Sequence, residues 1–251
     1  MPQQTVDAPI VVMVHGSGAL DRDETVYSNK PFRDIAEELA AKGIATLRYD
    51  KRTYVYRHPL TTMEDETILD ALSAIRLARH YSHRVFLLGH SLGAMLAPLI
   101  ADRDEGQLAG IIMMAAPARD LEEVVREQLD YLLPSGANPS YKEQQIEQLR
   151  QQAPHYFQLQ RQTAVAQHLS LPVLILQGER DYQVTTEDFR LWQQSLQGKN
   201  NVRYHSYPRL NHLFMEGEGR STPLEYLTEG HVAKYVIDDV ATFIFQSLLQ
   251  K

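Results

Sequence analysis

The apolar run Val85 to Leu88 leads directly into Gly89-His90-Ser91-Leu92-Gly93, and an alanine- and leucine-rich helical pattern begins at once beyond it. No other stretch limits the fold as tightly. A strand that becomes a helix within two residues forces the residue at the corner into a strained backbone conformation, and glycines on either side let neighbouring chain approach. By itself Gly-x-Ser-x-Gly is modest evidence. At ordinary glycine and serine frequencies it would recur by chance about 0.08 times in such a length, so the strand before it and the helix after it must carry the argument. In that setting the turn lifts the Ser91 hydroxyl above a sheet edge. The helix N-terminus adds positive partial charge beside it. Ser91 is the candidate nucleophile.

The rest of the chain repeats the same alternation. Strands are expected at Ile10 to Val14, Ile44 to Tyr49, Arg84 to Leu88, Leu108 to Ala115, Val173 to Gln177 and Val202 to Tyr207. Helices are expected at Pro31 to Lys42, Glu64 to His80, Leu92 to Ala101, Glu187 to Leu196 and His231 to Leu249. Continuous apolar runs such as IVVMV suit strands buried on both faces, and the alternation suits a mostly parallel sheet of about six strands with helices on both sides. Asp120 to Ser170 breaks the rhythm with some fifty charged, glutamine-rich residues of helical pattern. It reads as a helical cap, 119–170, inserted between two strands of one domain spanning 1–251.

Serine hydroxyls need an adjacent base. On a strand–turn–helix site of this kind the partners follow in the order serine, acid, histidine. Asp181, in Gln177-Gly178-Glu179-Arg180-Asp181, sits just past a strand end, where catalytic groups of α/β sheets gather. Glu179 is a rival, and Asp188 falls on an amphipathic helix where solvation is the plainer role. Of the later histidines, His155 and His168 lie in the cap, His205 lies within a strand and His231 opens the last helix. His212, in the loop after Val202 to Tyr207, is the candidate base. The glycine turn His15-Gly16-Ser17-Gly18 follows the first strand and faces the elbow, so the backbone N–H groups of Ser17 and Leu92 are the expected oxyanion donors.

These segments together resemble the α/β-hydrolase superfamily over nearly the whole chain. A closer likeness is to bacterial serine esterases of the dienelactone-hydrolase-like branch. It rests on Asp21-Arg22-Asp23-Glu24, Asn29-Lys30-Pro31-Phe32, Arg48-Tyr49-Asp50-Lys51-Arg52, Leu210-Asn211-His212-Leu213-Phe214 and Gly217-Glu218-Gly219. The resemblance implies an α/β-hydrolase fold, carboxylic-ester hydrolysis through Ser91, Asp181 and His212, and no cofactor. The dienelactone hydrolases proper use a cysteine nucleophile and this chain contains no cysteine, so the likeness is to their serine-using relatives. The fold ordinarily has two further strands before the one at Ile10, and those would lie at an edge remote from the site.

Composition narrows the partners. A formal net charge of −7 leaves no cationic excess for nucleic-acid phosphates. The pair Lys51-Arg52 beside Asp50 reads as a local ion-paired cluster. Without cysteine, thiolate zinc ligation and disulfides are ruled out. The acidic run after the oxyanion loop has no convergent histidine and reads as a salt-bridged loop, not a metal site. No apolar run approaches the roughly 18 residues of a membrane span, and the polar residues 1–9 lack a signal-peptide core, so a cytoplasmic setting is expected. The expected partner is a small ester. Tyr131, Leu132, Leu133, Tyr156 and Phe157 of the cap, with Tyr182, Leu213 and Met215 beside the triad, are the expected specificity residues, and Arg22 is a candidate for a substrate carboxylate. A cap this polar suits short, water-soluble acyl groups better than an interfacial lid. The same triad serves thioesterases, peptidases and amidases, and a binding protein on a hydrolase scaffold would keep the fold without turnover.

Overall fold

The computed structural model describes residues 8–57, 62–104, 107–133, 139–152 and 162–249. Six strands form one parallel sheet: β1 (Ile10–Val14), β2 (Ala45–Leu47), β3 (Val85–His90), β4 (Gly110–Met114), β5 (Val173–Gly178) and β6 (Val202–Tyr207), in the order β2-β1-β3-β4-β5-β6. The period of two along each strand divides the core. Val12, Leu87, Ile111 and Ile175 feed one buried cluster, while Val11, Phe86, Ile112 and Leu174 feed the other. The second cluster is closed by α1 (Pro31–Ala41) and by the last helix, Lys234–Leu249. The first is closed by α3 (Asp70–Arg79), by α4 (Leu92–Arg103) and by the helix Thr186–Ser195, whose Trp192 is fully buried and donates to the Ala116 carbonyl at 2.9 Å. Between β4 and β5 run three helices without a strand: α5 (Leu121–Leu132), α6 (Pro139–Gln152) and α7 (Gln162–His168). The helices Thr186–Ser195 and Lys234–Leu249 are then α8 and α9.

Several expected boundaries move. The helix expected from Glu64 begins as a π-helical turn, Glu64–Leu69, and becomes α-helical only at Asp70. That wider turn buries three consecutive residues, Glu66, Thr67 and Ile68, which a regular helix face does not do. The last helix starts at Lys234 and not at His231. The buried Val232 and Ala233 precede it, with the Ala233 N–H bonded to the Phe214 carbonyl at 2.9 Å. One short helix was not expected: α2 (Arg52–Tyr56) buries no residue and so leaves no apolar period in the sequence. Among the described residues, no helix is long and apolar enough to cross a membrane.

Candidate active site

The site is assembled at the carboxyl rim of the sheet. Ser91 stands between the last residue of β3 and the first of α4 with φ 52° and ψ −116°, a strained region for a residue with a side chain. Gly93 makes the corner possible. A Cβ there would lie 2.2 Å from the Val14 carbonyl oxygen, so any larger residue would push α4 off the end of β1. The Ser91 N–H bonds the Met114 carbonyl at 2.9 Å, tying the corner to the neighbouring strand.

Asp181 follows β5 and His212 follows β6. Gly178 at the end of β5 packs so closely on the β6 loop that a Cβ there would stand 2.5 Å from the Leu210 carbonyl oxygen, and this close approach draws the two loops together. The result is a bond of 2.6 Å between His212 Nδ1 and Asp181 Oδ2, both side chains being buried. The other carboxylate oxygen accepts the N–H groups of Gln183 at 2.8 Å and Val184 at 3.0 Å, which fixes the orientation of the acid. Asn211 does the same for the histidine loop, its side-chain oxygen accepting from Leu213 and Met215 at 3.0 and 3.2 Å. Ser91 and His212 line one cavity of about 270 Å³. Among the described residues no hydrogen bond joins Ser91 Oγ to the imidazole. Catalytic bonds of this kind often tighten only with substrate in place.

Ser17 lines that cavity too, and with Leu92 lines a second, adjoining lobe of about 280 Å³ that also reaches Ser91. Among the described residues, no hydrogen bond uses the Ser17 or Leu92 N–H. Two residues behind this edge were missed by sequence reasoning as functional groups. Glu24 is buried; one carboxylate oxygen accepts the Gly16 N–H at 2.7 Å, and the other lies 3.1 Å from His90 Nδ1. His90 Nε2 lies 2.9 Å from the carbonyl oxygen of His212. With a carboxylate at one nitrogen and a carbonyl at the other, both nitrogens face acceptors, which is the environment of an imidazolium. The Nδ1–H is off the line to Glu24, so that contact is an ion pair more than an aligned hydrogen bond. Burial pulls His90 down, but the Glu24 charge and the His212 carbonyl outweigh it, and its pKa stands above the ordinary value. Burial pushes Glu24 up, and His90 with the Gly16 N–H brings it below the ordinary carboxylate value. The only signal of this pair in the sequence was position, with Glu24 after the glycine turn and His90 one residue before the serine.

The other expected residues divide. Tyr182 lines the His212 cavity and stacks on Tyr131 at 5.1 Å, its hydroxyl pushed up to about 12 by burial and by the Asp181 charge. Tyr131 does not face either lobe; its hydroxyl donates to the Ser221 carbonyl at 2.9 Å. Met215 is buried with Tyr182, Leu213 and Tyr226 as packing beneath the site. Tyr156 and Phe157 lie outside the described residues. Arg22 is committed to Asp50, with Nη2 to Oδ2 at 2.7 Å, and lines neither lobe. Asp50 is therefore not the partner of the basic pair beside it: Arg52 pairs with Asp70 and the buried Lys51 with Glu66. Asp188 is not solvated. It is fully buried and accepts the N–H groups of Ala118 and Arg119 at 2.9 and 3.1 Å, because the start of α8 packs against the loop leaving β4. Among the described residues, no group of three or more His, Asp or Glu side chains stands close enough to share a metal ion.

A parallel sheet with a strained serine corner after β3 and an acid–histidine pair after β5 and β6 is the architecture of one superfamily. Residues 11–227 match the Alpha/beta hydrolase family, and the chain belongs to it. It is 42% identical over 264 aligned positions to Esterase EstD of Thermotoga maritima, taking in 97% of this chain. The chain spans 64% of the length of that relative. In structure it is similar to the Pyrococcus furiosus esterase PF2001, with 16% identity, a TM-score of 0.64 and coverage of 96% of this chain and 82% of that one. It is likewise similar to Est1E of Butyrivibrio proteoclasticus, solved with ferulic acid bound, with 18% identity, a TM-score of 0.64 and coverage of 99% and 93%. At these identities the two structures speak for the fold.

Proposed function

We propose that the protein is a serine carboxylesterase acting on small, short-acyl esters, with Ser91 as nucleophile, His212 as general base and Asp181 as the group that orients it. The observation that carries this reading is that a strained elbow serine and a histidine bonded to a buried carboxylate open on one cavity. His212 takes the Ser91 proton as Oγ attacks the ester carbonyl, and Asp181 holds the imidazolium that forms. The Ser17 and Leu92 N–H groups receive the oxyanion. His212 then returns the proton to the leaving alcohol, and water activated by the same ring releases the acid.

The two lobes take the two halves of the ester. The leaving oxygen must come within reach of His212, so the alcohol belongs in the lobe that this residue lines with Tyr182 and Tyr226. The acyl group then enters the other lobe, beneath Leu121, Val124, Val125 and Leu149 of α5 and α6, which serve as the cap. At about 280 Å³ it falls just under the roughly 300–1,000 Å³ of drug-sized pockets and suits short acyl chains. The resemblance carried by the segment Asp21 to Glu24 supports a place in the serine-using, dienelactone-hydrolase-like branch. Ser91→Ala is expected to abolish hydrolysis of p-nitrophenyl acetate and labelling by a fluorophosphonate, with the circular dichroism unchanged. Full turnover by that variant would reject the assignment. Matched thioester and anilide substrates in the same assay separate esterase from thioesterase and peptidase.

A further inference from the structure

Lys51 is a cation with almost no access to water. Its side chain is 2% exposed, yet it follows the loop after β2 and has no part in the Ser–His–Asp chemistry. Burying a lysine is costly unless its charge and donors are matched, so each of its contacts bears on why it is there. Nζ lies 3.4 Å from Glu66 Oε2 and donates to the carbonyl oxygen of Gly16 at 3.0 Å. Glu66 is itself turned inward by the π-helical turn at Glu64–Leu69 and accepts the Thr53 N–H at 2.9 Å.

The Gly16 carbonyl belongs to the same peptide group as the Ser17 N–H. There are no cis peptides in the described chain, and in a trans peptide the C=O and N–H point in opposite directions within one plane. A carbonyl drawn to Lys51 therefore turns the Ser17 N–H the other way. Among the described residues that N–H has no acceptor, and Ser17 lines both lobes that meet at Ser91. The preceding peptide is held as well, its N–H given to Glu24 at 2.7 Å. A cation on the carbonyl oxygen also withdraws electron density from the amide, which makes its N–H a stronger donor.

We propose that Lys51, braced by Glu66, is a positioning residue of the oxyanion hole, aiming and polarising the Ser17 N–H through the Gly16 carbonyl. This rests on the hydrolytic reading of the site above. Burial lowers the pKa of Lys51, opposed by the charges of Glu66 and Glu24. Its effect falls on the tetrahedral oxyanion and not on the ground-state ester, so it belongs in kcat and not in KM.

The test is Lys51→Met, alone and with Glu66→Gln so that no buried carboxylate is left unpaired, together with Lys51→Gln, which keeps a donor. Each is assayed on p-nitrophenyl acetate. Each is also titrated with a trifluoromethyl ketone, whose carbonyl carbon bonds to Ser91 Oγ as the serine proton passes to His212 and the carbonyl oxygen becomes an oxyanion. Losing an oxyanion donor outright costs about 100- to 1,000-fold. A misaimed one is expected to lower kcat by about 10- to 100-fold with KM held within about threefold. Ketone affinity should fall by the same factor, and Gln should recover part of the loss. The Ser17 amide proton, read by nuclear magnetic resonance, should move upfield in both Met variants. An active wild type with kcat within about twofold in the folded variants, or with kcat reduced but ketone affinity intact, overturns the role of Lys51 alone. A wild type inert toward ester and ketone overturns the hydrolytic reading together with it.

Discussion

Glu24 and His90 are two charges behind the nucleophile, and their placement makes them responsive to pH. His90 is raised above its ordinary value of 6.5, so the stability it contributes is fully present below that pH and is lost as pH climbs through its folded value. Glu24 is lowered below its ordinary 4.5, so its contribution is present above that pH and is lost as pH falls through its folded value. The two windows overlap between pH 4.5 and 6.5. Replacing both, Glu24→Gln with His90→Gln, removes the titration while leaving polar side chains of similar size. The stability difference between wild type and double variant, from urea unfolding across the pH range, should favour wild type most in that window. It should narrow on each side, as pH rises through the folded value of His90 and as pH falls through that of Glu24. A difference flat in pH would show that the pair carries no net charge coupling. The placement also explains why the pair escaped sequence reasoning. Glu24 and His90 are far apart in the chain, and neither falls in a periodic pattern, so only the folded loops reveal that they share a buried contact.

Elements were more legible than contacts, for a physical reason. The four central strands, β1, β3, β4 and β5, are buried at every residue and stand in the sequence as apolar runs, whereas the edge strands β2 and β6 are only partly buried and are marked by their place in the strand–helix alternation. The elbow was legible because a strand cannot turn into a helix around a bulky residue, so the corner imprints glycine on the sequence at Gly93. What could not be read was which polar residue an amphipathic helix turns inward. Asp188 shows this: it has the sequence character of a solvated helix residue, yet its carboxylate takes two backbone N–H groups of the loop leaving β4 and the guanidinium of Arg119, with Nη2 to Oδ2 at 2.7 Å. It ties α8 to the root of the α5–α7 insertion. Asp188→Ala leaves those two N–H groups without an acceptor and Arg119 with Glu127 as its remaining carboxylate, a change expected to cost about 2–4 kcal/mol, since each buried donor left unmatched costs about 1–3 kcal/mol. Urea unfolding should show a loss of unfolding free energy of that size, with the midpoint lowered and the slope unchanged. A loss under about 1 kcal/mol would mean that water replaces the carboxylate freely, and that α8 does not anchor the insertion.

At the scale of the whole molecule, the sheet and the insertion divide the work of the proposed esterase. The strand ends fix the reacting groups, and α5 and α6 close over one lobe without contributing any of those groups. Chemistry and acyl preference should therefore separate under mutation. Val125 lines the apolar lobe and is only part-buried, so a larger side chain there projects into the cavity and not into packed core. Val125→Phe is expected to leave p-nitrophenyl acetate turnover within about twofold, because an acetyl group barely enters the lobe. The hexanoate ester should lose about tenfold or more in kcat/KM, since each methylene refused by an apolar pocket is worth roughly 1–3 kcal/mol. Tyr226, in the lobe with His212, gives the converse arm: Tyr226→Ala should alter discrimination among alcohols of one acyl series and leave the acyl profile in place. If Val125→Phe changed alcohol preference and spared acyl length, the two halves of the ester would have to exchange lobes. His212 would then have to deliver its proton from a side of the substrate that the cavity it lines does not reach.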